Sequence, residues 1–152
     1  MKGYITLLTC LTHTTGIEAE KTGVGKLLPK AKFESLEDEM NFLAAKREIV
    51  NNPQKEFHYS NVGINIAGRM IEVVSKKTFD RIVQEKLLRP LKMRNTTFFN
   101  YDNLYVNPSA GAQSTANDYM NFLVMLLNNG EFEGKRILSE KAVAAMEKAQ
   151  LT

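Results

Sequence analysis

Apolar residues recur at helical spacing along almost the whole chain, and the strict alternation that marks half-buried strands is scarce. Ser35-Leu36-Glu37-Asp38 is a Ser-x-x-Asp helix start, followed by Leu36, Met40, Leu43 and Ala44 on one face. Asn51-Asn52-Pro53 is expected to end that helix. Ser60 or Asn61 is placed to cap the next one, in which Val62, Ile66, Met70 and Val73 form a stripe that Ala67, Ile71 and Val74 widen. Gly63 and Gly68 lie inside it. Each glycine costs an exposed helix about 1 kcal/mol against alanine, so the pair predicts that another backbone or a ligand passes close by.

Further along, Thr78 opens a segment with Phe79, Ile82, Val83 and Leu87 expected inward and Pro90 closing it. Thr115-Ala116-Asn117-Asp118 reads as a capping box. Tyr119, Phe122, Leu123, Leu126 and Leu127 follow at helical spacing, and Asn128-Asn129-Gly130 supplies the left-handed stop. Ser139 starts a short final helix through Val143 and Met146. Only Lys135 to Leu138 and Thr96 to Phe99 read as extended. Two irregular stretches, about 17–35 and 94–113, are long for a compact domain and are candidates for function.

At 152 residues the chain has the size of one domain with a real core, and a single domain over 1–152 is expected. Its composition, 43% hydrophobic and 24% charged, is that of a folded soluble protein. The net charge of +3 comes from lysines and arginines spread along the chain, which argues against a nucleic-acid partner. No run approaches the roughly 20 apolar residues of a spanning helix, so no membrane span is expected. Met1 to Leu11 combines a basic start with a short apolar stretch, and Leu7 to Cys10 carries a trace of a lipoprotein cleavage site. Thr6 and Thr9 interrupt that stretch, which is short for the apolar region of a signal peptide.

The single cysteine, Cys10, excludes an internal disulfide. Cys10 and His13 stand three apart and could share a helix face as metal ligands. With only one other histidine in the chain, a packed thiol and a hydrogen-bonded turn histidine are the expected roles, and no metal or cofactor is expected. Ser60 lies near His58, but neighbouring side chains in an extended stretch point apart, which disfavours a Ser-His pair.

Several stretches carry a family resemblance in the right order. Ile5 to Ile17, reading ITLLTCLTHTTGI, is similar to the "ITIRHLLTHTSGL" helix and turn of serine hydrolases of the class C β-lactamase, D-alanyl-D-alanine carboxypeptidase and esterase kind. Phe57-His58-Tyr59-Ser60-Asn61-Val62-Gly63 resembles their "FxYSNxG" element. Phe79 to Thr96 resembles "F…I..PLGM..T", with Lys92 where glycine is usual. Ala110 to Asp118 resembles "AGGLxSTAxDL", and Gly134 to Ser139 resembles "GkrILS". The match covers roughly 4–147.

The resemblance implies the helical region of the β-lactamase/transpeptidase-like fold, lacking most of the α/β sheet domain. It implies amide or ester hydrolysis through a serine acyl-enzyme in the intact parent, with Tyr59 as general base and Asn61 as substrate binder. Relatives of this kind usually work outside the cytoplasm, but the localisation of this chain stays open, since any export signal is expected ahead of these residues. A free hydroxyl is a poor nucleophile, and such enzymes activate theirs with a lysine one helical turn later, in Ser-x-x-Lys. No lysine of this chain has a serine or threonine three residues before it. Lys21-Thr22-Gly23 spells the third motif of these enzymes, but it precedes Tyr59 by about 36 residues where they place it well after, so coincidence is expected.

Tyr59 thus lacks the serine it would deprotonate and the lysine that would tune it, and the chain alone is expected to be inactive. Its expected partners are a missing α/β catalytic half, or a second copy met through an exposed apolar face. The alternative function is a non-catalytic binding or self-assembling module derived from the same family.

Overall fold

Thr6 starts the first helix of the computed structural model, which describes residues 5–17, 33–46, 48–98 and 105–149. The Thr6 side chain accepts the Thr9 N–H while the Thr9 hydroxyl oxygen accepts the Thr6 N–H, a reciprocal cap on α1 (Leu7–Leu11). Lys21-Thr22-Gly23 and the segment Met1 to Tyr4 lie outside the described residues. Two compact units form. The first comprises the described residues up to 79 with 105–111, and the second 80–98 with 112–149.

In the first unit, Ser35 Oγ accepts the Asp38 N–H and donates to the Asp38 carboxylate, opening α2 (Leu36–Lys46). Glu37, Asp38 and Glu39 crowd its first turn, where the helix dipole favours negative charge. The helix stops at Lys46, short of the expected Asn51-Asn52-Pro53. The cause is a non-local competitor: Ile49 pairs antiparallel with Ile17, and the Val50 N–H donates to the Gly16 carbonyl at 2.9 Å. Gly16 has φ +69, and a Cβ there would drive into the Asn51 carbonyl, so only glycine fits this turn.

Helix α3 (Asn61–Ser75) buries Val62, Gly63, Asn65, Ala67 and Gly68. Both glycines mark close approaches. A Cβ on Gly63 would lie 3.0 Å from the Cys10 carbonyl of α1, and one on Gly68 would overlap Pro108. Arg69 bridges Glu37 of α2 at 2.6 Å and Glu72 of α3 at 3.2 Å. Of the expected stripe only Val62 and Ala67 are buried; Ile66 and Met70 are half-buried, and Ile71, Val73 and Val74 are exposed, Val74 by 85%.

All but the first residue of α4 (Phe79–Val83) belongs to the second unit, and the helix runs into a π-helical turn, Gln84–Leu88, where the Arg89 N–H reaches back to the Gln84 carbonyl at 3.1 Å. That turn shifts the inward face. Leu88, Leu91 and Met93 are buried with Met125 and Phe132, whereas Val83 and Leu87 pack only at the margin. Strands β1 (Thr97–Phe98) and β2 (Ala112–Gln113) pair antiparallel, Thr97 opposite Gln113.

Thr115 caps α5 (Ala116–Leu127) by accepting the Asp118 N–H, but the return bond of a capping box is not made. The Asp118 carboxylate turns instead to the Asn95 N–H at 2.7 Å and the Thr96 hydroxyl at 2.9 Å. The buried face of α5 is correspondingly rotated from the expected one. Met125 is fully buried, seven residues after buried Asp118, while Tyr119 and Leu127 are exposed. Strands β3 (Glu131–Phe132) and β4 (Lys135–Arg136) pair across a tight turn, and Ser139 caps α6 (Glu140–Glu147), which buries Val143 and leaves Met146 exposed.

The described residues are therefore mainly helical, with two-residue strands in place of an extended sheet. No helix among them is long and apolar enough to cross a membrane.

Candidate active site

The residues from Phe57 to Ser60 lead into α3, and the first three of them are exposed. Ser60 is buried and Tyr59 is 65% exposed. Ser60 occupies the N-cap position with extended backbone, yet its side chain makes no capping bond. Asn61 is the first residue of the helix itself, so it is not the cap that the sequence allowed. Among the described residues its exposed amide has no hydrogen-bond partner, and neither has the Tyr59 hydroxyl.

What holds this segment is the turn after α1. His13 has φ +56, a left-handed conformation that histidine tolerates better than most residues. Its carbonyl accepts the His58 N–H at 2.8 Å and its Nδ1 accepts the Ser60 N–H at 3.2 Å. Its ring lies 4.5 Å from that of Tyr59 with 34° between the planes, and Phe57 meets it edge-on at 5.7 Å. The Gln54 N–H adds a bond to the Thr14 carbonyl at 2.9 Å. The helix–turn and the Tyr-x-Asn segment, far apart in sequence, thus form one piece of structure.

No Ser-His pair exists here. His58 turns to Glu56, with Nε2 3.1 Å from Oε2, and Asn51 donates to the same carboxylate. Cys10 is fully buried under α3, and burial pushes its thiol up to about 11, which makes it a packing group. Among the described residues no three His, Cys, Asp or Glu side chains converge as metal ligands.

The sequence reading missed a buried polar cluster one turn beyond Asn61. Asn65 is 3% exposed, and its amide accepts the Ser109 N–H at 3.1 Å and donates to Glu39 of α2 at 3.4 Å. Tyr105 also donates to Glu39. Burial first, and then the bond to and charge of Glu39, hold the Tyr105 phenol well above the usual phenol range. The available signal was an asparagine inside the apolar stripe of α3, which demands buried partners.

Beside this cluster an open groove of about 510 Å³ lies between α2 and α3. Its lining is mainly apolar, with Met40, Leu43, Ile66, Met70, Val73 and Val74 among it and Asn41 and Arg69 as its polar members.

The chemistry legible here is that of a phenol and a carboxamide, two residues apart and both open to solvent. A hydroxyl with a lysine one turn after it is absent from the sequence.

The model of the family described as Beta-lactamase matches residues 2–152. Protein Rv1367c of Mycobacterium tuberculosis is 25% identical over 93% of this chain and 43% of its own length. A candidate β-lactamase from Bacteroides dorei superposes with a TM-score of 0.80 at 30% identity, over 95% of this chain and 43% of that one. A penicillin-binding protein from Bacillus halodurans, at 21% identity, shares the fold with a TM-score of 0.76 over 97% of this chain and 52% of its own. The chain thus spans about half, or less, of the length of each.

Proposed function

This chain belongs to the β-lactamase family, and from that membership we propose that it forms the helical part of an enzyme that hydrolyses an amide or ester through a serine acyl-enzyme. Tyr59 serves there as general base and Asn61 holds the amide of the substrate. The observation that carries this reading is the presentation of Tyr59. An aromatic residue 65% exposed would ordinarily be free to move, and here it is laid against the His13 ring with its hydroxyl unengaged among the described residues. Asn61, released from any capping duty, has its amide equally free. The substrate class is a β-lactam, a D-amino-acid peptide or a small ester.

Alone, residues 1–152 do not form the acyl-enzyme. General-base catalysis needs a hydroxyl within hydrogen-bond reach and a nucleophile that is itself activated, and this sequence supplies no Ser-x-x-Lys. The groove between α2 and α3 supports the same reading. Contiguous exposed apolar surface calls for a partner, and an α/β half carrying the nucleophile is the partner the family membership points to.

The test is intact mass after exposure to a fluorophosphonate and, separately, to a penicillin. Unchanged mass in both is expected for the chain alone, followed by labelling and turnover once a companion polypeptide bearing Ser-x-x-Lys is added. A stoichiometric adduct on the isolated chain would overturn the reading.

A further inference from the structure

We propose that His13 is a positioning residue for Tyr59, an inference that rests on the reading of Tyr59 as general base. Its carbonyl and its Nδ1 accept the N–H groups of His58 and Ser60, the residues on either side of Tyr59, at 2.8 and 3.2 Å. The backbone is therefore tied before and after the tyrosine. The tyrosine ring rests on the ring of the same histidine at 4.5 Å. Three separate constraints on one exposed side chain thus come from one residue, which is itself held left-handed at φ +56.

The role sets the protonation pattern of the imidazole. Since Nδ1 accepts from Ser60, the neutral ring carries its proton on Nε2. A proton on Nδ1 would face the Ser60 N–H donor to donor and release the segment. The tautomer is thus part of the positioning.

Two variants separate the ring from the acceptor. Asparagine tolerates the left-handed backbone and places an amide oxygen near the Nδ1 position, so His13→Asn keeps the Ser60 bond and removes the ring. His13→Phe keeps a ring and removes the acceptor. In the isotopically labelled full chain, with Tyr59 assigned through Tyr59→Phe, His13 Nδ1 is expected to resonate as an unprotonated acceptor. The Tyr59 ring protons should be displaced from the shifts of an exposed tyrosine.

His13→Asn should return the tyrosine to those shifts while the Ser60 amide stays protected from exchange. His13→Phe should speed that exchange about tenfold, the loss of one hydrogen bond. Exposed-tyrosine shifts in the unsubstituted chain, or the same shifts in all three chains, would overturn the proposal. In the enzyme completed by a Ser-x-x-Lys companion, His13→Asn should lower kcat about tenfold with KM within about twofold, as misplacement of a catalytic group does. An unchanged kcat there also overturns it. Full turnover by Tyr59→Phe is a different failure: it removes the general-base reading and leaves the geometry reported by the resonances standing.

Discussion

Replacing Gly68 by alanine sets two effects against each other. Alanine favours a helix interior over glycine by about 1 kcal/mol. The new methyl group, however, would sit 2.7 Å from Cβ of Pro108 and closer still to its Cγ. A proline ring cannot rotate away, and overpacking of this kind costs about 1–3 kcal/mol. Overpacking wins, so Gly68→Ala should lower the midpoint of urea denaturation; a raised midpoint would mean that Pro108 does not press on this helix. Cys10 allows a second expectation at the same scale. Its thiol is raised from 9.0 to about 11 by burial, so the folded state holds its proton more tightly than the unfolded chain. The resulting stability is intact below about 9 and is lost as pH rises towards 11. Native protein at pH 8 should accordingly react with a thiol reagent only on the timescale of unfolding, and reaction at the rate of a free thiol would refute the burial.

At the scale of elements, α5 is anchored by Asp118, whose carboxylate serves a segment some 22 residues earlier in the chain. Asp118→Ala takes the acceptor from the Asn95 N–H and one of two partners from the buried Thr96 hydroxyl, which keeps Ser114, and should cost about 2 kcal/mol, as loss of hydrogen bonds to a charged group does. Thr115→Ala removes only a local cap and should cost about 1 kcal/mol. Urea denaturation of the two variants orders them, and equal losses would show that Asp118 is no more than a first-turn residue.

The same contrast explains what the sequence disclosed. Helix starts at Ser35, Thr115 and Ser139 were legible because a cap is settled within four residues. The end of α2 was not, because Ile17 competes for Ile49 from far away in the chain. The inward face of α5 was misplaced because Asp118, a charge, turned out to lie inside with Met125. At the site, Tyr59 and Asn61 were legible as a motif and His13 as a hydrogen-bonded turn residue. That His13 bonds across 47 residues to Ser60 was not, since no local pattern encodes it.

At the scale of the whole molecule, the exposed end of α3 is where the proposed need for a partner can be tested. Val73 is 60% and Val74 85% exposed, and they continue the apolar lining that runs through Met70 and Ile66 to α2. Covering each such side chain is worth about 1.5–3 kcal/mol, so a surface of this kind provides a large part of the drive for association. On the proposed reading the occupant is the α/β half that carries the nucleophile, and the groove is where the two halves hold together. Val74→Asp should then leave the folding of the isolated chain nearly unchanged, because that side chain contacts mainly solvent. It should weaken capture of the Ser-x-x-Lys companion at least about tenfold, since a carboxylate would have to be desolvated in an apolar contact. Titration of the companion by restored turnover, with circular dichroism of the isolated variant as the control for folding, measures both quantities. Undiminished complementation by Val74→Asp would place the companion on a different surface, and the open groove would then belong to something else.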